Sequence, residues 1–386
     1  MRWPEPLTTL QRAELSLTEK LQQITWGLIA LICAISGMGF VMLYSAANGS
    51  LDPWAMRQMI RFALGLLVLI GVALVDLRFW LKHAYTFYGF AFLLLIYVEI
   101  AGALHMGGQR WIDLKVIQLQ PSEIMKIALV MALARYFHRL SADDIGSPLA
   151  LVVPIGLVLA PVGLVMMQPD LGTGVMLMLV GGGMFFVAGV RIWKFALVIA
   201  AGVGAVPLAW NFLHDYQKNR ILTFLNPEND PLGAGYHIMQ SKIALGSGGL
   251  FGQGFLNGSQ AHLDFLPERQ TDFIFTMLAE ELGMVGGVLL LLLYTCVFVY
   301  GFAIAFSSRS HFGRMLAIGL TLNLFAYVFI NMAMVMGLLP VVGVPLPLIS
   351  YGGTAMLTVL VGFGFLIGVY INRDLKIGQR GLSDDR

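Results

Sequence analysis

The stretch Ile24-Thr25-Trp26-Gly27-Leu28-Ile29-Ala30-Leu31-Ile32-Cys33-Ala34-Ile35-Ser36-Gly37-Met38-Gly39-Phe40-Val41-Met42-Leu43-Tyr44-Ser45-Ala46 contains no charged residue. As a helix it crosses a bilayer core, for which about 20 apolar residues suffice. It is preceded by a polar segment carrying Arg2, Arg12 and Lys20, and it is longer than the apolar centre of a secretory leader, so it reads as an uncleaved first span. Similar runs recur at 58–76, 79–103, 121–138, 148–168, 171–190, 192–213, 279–306, 312–338 and 349–371. The expected fold is an all-α polytopic membrane protein with ten transmembrane helices and a large outer loop between helices 7 and 8.

Composition supports this reading. Of 386 residues, 58% are hydrophobic and 12% charged, against roughly 25% charged in soluble domains. Mean hydropathy is +0.79, spread along the chain, which excludes a soluble enzyme on a single anchor. A net charge of +2 without a basic stripe argues against nucleic acid as a partner. Cys33 and Cys296 lie in apolar runs and offer neither a disulfide framework nor a thiolate site, so they read as core residues.

Ten spans place both termini on one side. The 24 Lys and Arg divide as fifteen in the termini and short links of that side and nine opposite, so the termini are expected in the cytoplasm. The expected divisions are a cytoplasmic segment 1–23, a membrane domain 24–373 with an extracytoplasmic loop at 214–271, and a cytoplasmic tail 374–386. A loop of that length is usually functional or an independent subdomain. The nine outer cations are Arg57, Arg61, Arg110, Lys115, Lys126, Lys218, Arg220, Lys242 and Arg269. They suit either an anionic ligand such as a pyrophosphate or simple solvation in long loops, and composition does not choose between these.

Gln120-Pro121-Ser122-Glu123 opens the fourth span, with Lys126 on the same helix face as Glu123. Glu123 suits an ordinary helix start, but a lysine one turn into an apolar helix is costly unless it is paired or faces a wet cavity. The preferred reading is a pair lining a cavity, with snorkelling as the alternative. Further on, Leu266-Pro267-Glu268-Arg269-Gln270-Thr271-Asp272-Phe273 runs straight into the eighth span. From Asp272 to Phe306 one helix would reach about 52 Å, against a core near 30 Å, so its first part, down to Glu280 and Glu281, should lie at the interface or line a groove. Asp272 could there act as general base, hold a divalent cation, or cap the helix.

Three other stretches attract attention. The glycine-rich residues 246–258 could bring backbone amides to a phosphate or simply make turns. Gly343 to Gly353, with Pro345 and Pro347, resembles a re-entrant segment forming a cavity wall. Asp170, in the turn Gln168-Pro169-Asp170-Leu171-Gly172-Thr173, reads as a helix cap. No histidine pair has metal-ligand spacing, and no nucleophile elbow, P-loop or dinucleotide fingerprint is present.

The motifs Gln109-Arg110-Trp111-Ile112, Gln120-Pro121-Ser122-Glu123, Gln168 to Thr173, Leu266-Pro267-Glu268 with Thr271-Asp272-Phe273, and Pro345-Leu346-Pro347 through Ser350-Tyr351-Gly352-Gly353 resemble, in this order, the family named for shape, elongation, division and sporulation (SEDS). The resemblance spans nearly all of residues 24–373 and is closer to the elongation branch than to the division branch. It implies a peptidoglycan glycosyltransferase that polymerises lipid II at the outer face of the cytoplasmic (inner) membrane, for elongation and rod shape. The implied partners are a class B penicillin-binding protein, acting as transpeptidase, and other elongation-machinery proteins.

The resemblance also assigns residues. Asp272 matches the family's essential aspartate, which would deprotonate the acceptor hydroxyl as it displaces undecaprenyl pyrophosphate with inversion. Arg110, Glu123 and Lys126 match polar cavity residues, and substrate contacts are further expected from Glu268, Arg269, Lys242 and Ser350. Mg2+ or Mn2+, with Asp272 as a ligand, could bridge the pyrophosphate. Competing readings are a lipid II flippase, a division-type polymerase, or a non-catalytic scaffold. Placement of Glu99, Glu123, Lys126 and Asp272 in the outer half of the membrane favours catalysis over transport.

Overall fold

The computed structural model describes residues 16–105, 108–113, 118–141, 144–212, 215–229, 234–263, 265–266 and 268–378. Expectations resting on residues 1–15, Lys115, Pro267, the Arg220 side chain and residues 379–386 lie outside the described residues. The helices are α1 (Leu17–Gln22), α2 (Trp26–Ala46), α3 (Ala55–Leu74), α4 (Leu77–Ala101), α5 (Pro121–Arg139), α6 (Pro148–Met167), α7 (Leu171–Ala188), α8 (Ile192–Phe212), α9 (Asp215–Leu225), α10 (Ala234–Ser247), α11 (Ser259–His262), α12 (Ile274–Ser307), α13 (His311–Val335) and α14 (Gly353–Ile371). Eight of these, α2, α3, α4, α6, α7, α12, α13 and α14, are long and apolar enough to cross a membrane.

Two of the expected spans are of another kind. Helix α5 carries Glu123, Lys126, Arg135 and Arg139, yet 15 of its 19 residues are buried, so it runs through the middle of the bundle and rests little on lipid. Helix α8 has a shorter apolar part, Ile192–Leu208, and most of its described side chains are exposed. Around α5 pack α4, α13 and α7, while α3 lies along α14 and α12 lies between α13 and α2. The most apolar stretches of α13 and α14 are 83% and 72% buried, whereas that of α4 is 22% buried, so the first two helices line the interior and α4 turns to lipid.

Close contact between α3 and α14 follows from Gly364 and Gly368, which repeat at four-residue spacing. A Cβ on Gly364 would stand 2.7 Å from the Leu69 carbonyl oxygen, and one on Gly368 would stand 3.3 Å from that of Ala73. Small residues let backbones approach where lipid gives no hydrophobic drive for helix association.

Three findings depart from expectation. The outer connection expected at 104–120 carries strands instead, in an antiparallel sheet of β1 (Ala103–His105), β2 (Gly108–Asp113) and β3 (Gln118–Leu119). Ile112 pairs with Leu119 and Ala103 with Trp111. The two cysteines are exposed and not in the core, because an apolar run looks the same whether it faces lipid or protein. Helix α12 is broken at Gly283, where φ is 66° and ψ is −162°. The break falls just after Glu280 and Glu281, the end of the part expected at the interface or along a groove.

The glycine-rich stretch closes over this break. The amides of Gln253 and Gly254 donate to the carbonyls of Glu280 and Glu281 at 2.9 and 3.1 Å. The amides of Met284 and Val285 donate to Gly249 and Leu250 at 2.9 and 3.1 Å. A Cβ on Gly252 would lie 2.0 Å from the Glu281 carbonyl oxygen, which is why glycine is needed there. Turn-making and close packing, not a phosphate cradle, engage these amides.

Candidate active site

Helix α5 starts with Pro121 at its first turn, and Glu123 follows near the positive end of the helix. One turn on, the Lys126 Nζ lies 2.7 Å from Glu123 Oε1, with both side chains at most 4% exposed. The Tyr327 hydroxyl of α13 donates to Glu123 Oε2, and Lys126 Nζ stands 4.1 Å above the Tyr327 ring centroid. A buried ion pair is tolerable when further hydrogen bonds satisfy its remaining atoms, and Tyr327 supplies them from both its edge and its face. The pair faces the protein interior, so snorkelling to solvent is not its resolution.

Asp272 lies half-buried just before α12. The N-cap position of α12 is Phe273, and no side chain caps it, so Asp272 is not placed as the helix cap. Its segment is held by three consecutive carbonyls. Tyr351 N donates to Gln270 O at 2.8 Å, Ser350 Oγ to Thr271 O at 2.6 Å, and Asn331 Nδ2 to Asp272 O at 2.9 Å. The Asp272 Oδ2 reaches to 3.4 Å from where a Cβ on Gly343 would be. Glu268 accepts from the Thr271 hydroxyl at 2.8 Å, closing the turn that leads into Asp272.

The re-entrant reading of 343–353 fits what is seen. Residues 336–352 form no helix, yet Val344, Leu346, Leu348, Ile349 and Ser350 are buried. Leu346 N donates to Ser350 Oγ at 2.8 Å, and Gln58 Nε2, fully buried on α3, donates to Ser350 O at 3.0 Å. Ser350 is thus a brace of the Asp272 segment.

The cations divide by their engagements. Arg110 donates through Nε to Gln168 O at 3.0 Å and through Nη2 to Pro169 O, tying β2 to the α6–α7 turn. Asp170 caps α7, as expected, accepting from Thr173 N at 3.2 Å and from its hydroxyl at 2.9 Å. Arg269 is buried and donates from Nε to Ala46 O at 3.1 Å, fastening the loop to the end of α2. Lys242 is exposed on α10, with its Nζ lying over Gly337. Arg61 stacks on Tyr351 at 4.9 Å, beside Gly353 at the start of α14, and Arg57 is exposed one turn before it. No described residue offers either of these two arginines an anion.

Helix α13 joins the two halves of the site. Tyr327 and Asn331 lie four residues apart, about 6 Å along one face, the first on Glu123 and Lys126 and the second on Asp272. Neither was singled out from sequence. Their signal was the spacing Asn323, Tyr327, Asn331, a polar stripe at i, i+4 and i+8 in the second half of the helix, where the other residues are apolar.

A family model described as cell cycle protein, covering FtsW, RodA and SpoVE, matches residues 24–375. The chain belongs to this family, the SEDS proteins. A SEDS relative in Escherichia coli K12, peptidoglycan glycosyltransferase MrdB, is 44% identical over 352 residues, which is 90% of this chain and 94% of that protein. Among solved structures, a chain of a peptidoglycan synthase complex described as coordinating polymerization and crosslinking superposes with a TM-score of 0.78 at 33% identity, covering 91% of this chain and 98% of that one. The rod shape determining protein RodA of Thermus thermophilus superposes with a TM-score of 0.69 at 31% identity, covering 91% and 98%. The architecture is thus that of a multi-pass SEDS membrane protein.

Proposed function

We propose that this chain is a peptidoglycan glycosyltransferase of the elongation type, polymerising lipid II at the outer face of the cytoplasmic membrane. The observation that carries the reading is the α13 stripe, which joins the buried Glu123–Lys126 pair to the Asp272 segment. A relative bearing that activity in its name supports it. In this reading α5 and α8 join the eight apolar helices to make ten spans. Both termini are cytoplasmic and residues 214–271 form the outer loop.

The Asp272 carboxylate accepts the proton of the acceptor hydroxyl as that oxygen attacks the donor anomeric carbon. The bond to undecaprenyl pyrophosphate breaks, the electron pair leaves with it, and the anomeric configuration inverts. Because Lys126 is neutralised by Glu123, and Arg110 and Arg269 are engaged with carbonyls, Arg57, Arg61 and the exposed Lys242 are the described cations left to meet the pyrophosphate. No cluster of three or more His, Cys, Asp or Glu able to hold a metal exists among the described residues. Mg2+ commonly needs only one or two carboxylates plus substrate phosphates, so Asp272 with the substrate's own oxygens fits it. Such an ion would neutralise charge developing on the leaving group. The partner is a class B penicillin-binding protein, in keeping with the likeness to a synthase complex.

The test is polymerisation of purified lipid II by the reconstituted protein with its partner, comparing wild type with Asp272→Asn. Glycan chains from wild type alone are expected. Chains from a well-folded Asp272→Asn would overturn the general-base assignment, and none from wild type, with lipid II on both leaflets, would favour a flippase.

A further inference from the structure

We infer that Asn331 is a positioning residue for glycosyl transfer, setting the Asp272 carboxylate over Gly343 through the backbone. The inference rests on the reading of Asp272 as the base. Asn331 is fully buried on α13, and its single Nδ2 donates to two carbonyls from different segments, Asp272 O at 2.9 Å and Val344 O at 2.7 Å. Asp272 precedes α12, and Val344 follows Gly343 in the re-entrant segment. Gly343, at φ 70°, is the floor under the carboxylate, with the Oδ2 at 3.4 Å from its Cβ position. One amide therefore links the turn that bears the carboxylate to the floor beneath it.

The rest of the Asn331 side chain argues that the two donated bonds are its purpose. Its Oδ1 is buried with no hydrogen-bond partner among the described residues. An amide placed only to fill space would be replaced without loss by an apolar side chain of similar volume, which would leave no orphaned oxygen. Hydrophobic or acidic substitutes cannot donate to either carbonyl. The neighbouring carbonyls of Gln270 and Thr271 have their own donors, and Asn331 supplies the donor to the carbonyl of Asp272 itself.

A group held through the backbone should affect the chemical step more than substrate capture. The experiment uses the full chain, reconstituted with its partner, and measures initial rates of glycan formation across lipid II concentrations. For Asn331→Ala and Asn331→Asp the expected result is a fall in kcat of about 100-fold, the scale of a ~1 Å misplacement of a reacting group, with KM and the affinity for lipid II unchanged. Asn331→Ser, which restores one donor, should recover part of kcat and serves if the other variants do not fold. Wild-type kcat in any folded variant lacking the donors, or a loss confined to KM, overturns the inference. Asp272→Asn is run alongside. Activity there removes the reading of Asp272, whereas inactivity there with an active Asn331→Ala removes only the role of Asn331.

Discussion

Lys126→Met removes the cation from a site where Glu123 is 3% exposed and keeps only the Tyr327 hydroxyl as a partner. Breaking a buried pair on one side typically costs ~3–5 kcal/mol, because a charge is left without compensation. The reverse change, Glu123→Gln, leaves Lys126 above the Tyr327 ring at 4.1 Å. A desolvated cation–π contact contributes about 2 kcal/mol, so this variant should lose less by roughly that amount. With both charges gone neither penalty applies, and the double variant should be no less stable than Lys126→Met alone. Unfolding free energies from denaturation in mixed micelles, combined as a double-mutant cycle, measure this coupling. Additive losses, or a Glu123→Gln cost above that of Lys126→Met, would refute the placement of the pair as a self-neutralising unit.

Other consequences can be tested as simply. Gly283→Ala should destabilise the protein by at least ~1 kcal/mol, since φ is 66° there and the new Cβ would lie 2.3 Å from Gly252 N. A melting temperature equal to wild type would count against the break. Gly364→Leu should separate α3 from α14 and lower the melting temperature more than Gly71→Leu, where nothing lies within 4 Å of the Cβ position. Cys33 and Cys296, exposed on apolar helices, should resist a charged thiol reagent in the bilayer and react with it once the protein is unfolded in detergent. Labelling before unfolding would place them in water.

Much of the bundle was legible because runs such as residues 24–46 carry a signal proportional to their length. The excess length after Asp272 likewise set the first part of that segment apart from the span, and the structure breaks the helix at Gly283. The lipid-facing side of each helix was not legible. Apolar side chains serve both solvents, and Cys33 and Cys296 were misjudged for that reason. The sheet at 103–119 was missed because its strands are short and two of their neighbours in sequence are glycines.

Within the site, charge drew attention and hydrogen-bonding capacity did not. Lys126 and Glu123 stood out as ionisable groups inside a span, and the structure brings them together. Tyr327, Asn331 and Gln58 are uncharged, and their importance depends on which carbonyls and carboxylates fold against them. Arg110 and Arg269 illustrate the converse, since their positive charge suggested an anion and their donors met backbone carbonyls.

The four hydrogen bonds across Gly283 act as a splint on both sides of the break. A bare break would let the spanning part of α12 lean while the piece bearing the Asp272 segment stayed still. Splinted, the two parts are joined through the glycine-rich stretch as well as through Gly283 itself. A helix that tilts to match a thicker or thinner bilayer must then carry that tilt to the residues ahead of it. If Asp272 is the base proposed above, acyl-chain length in the surrounding lipid would then bear on where its carboxylate stands.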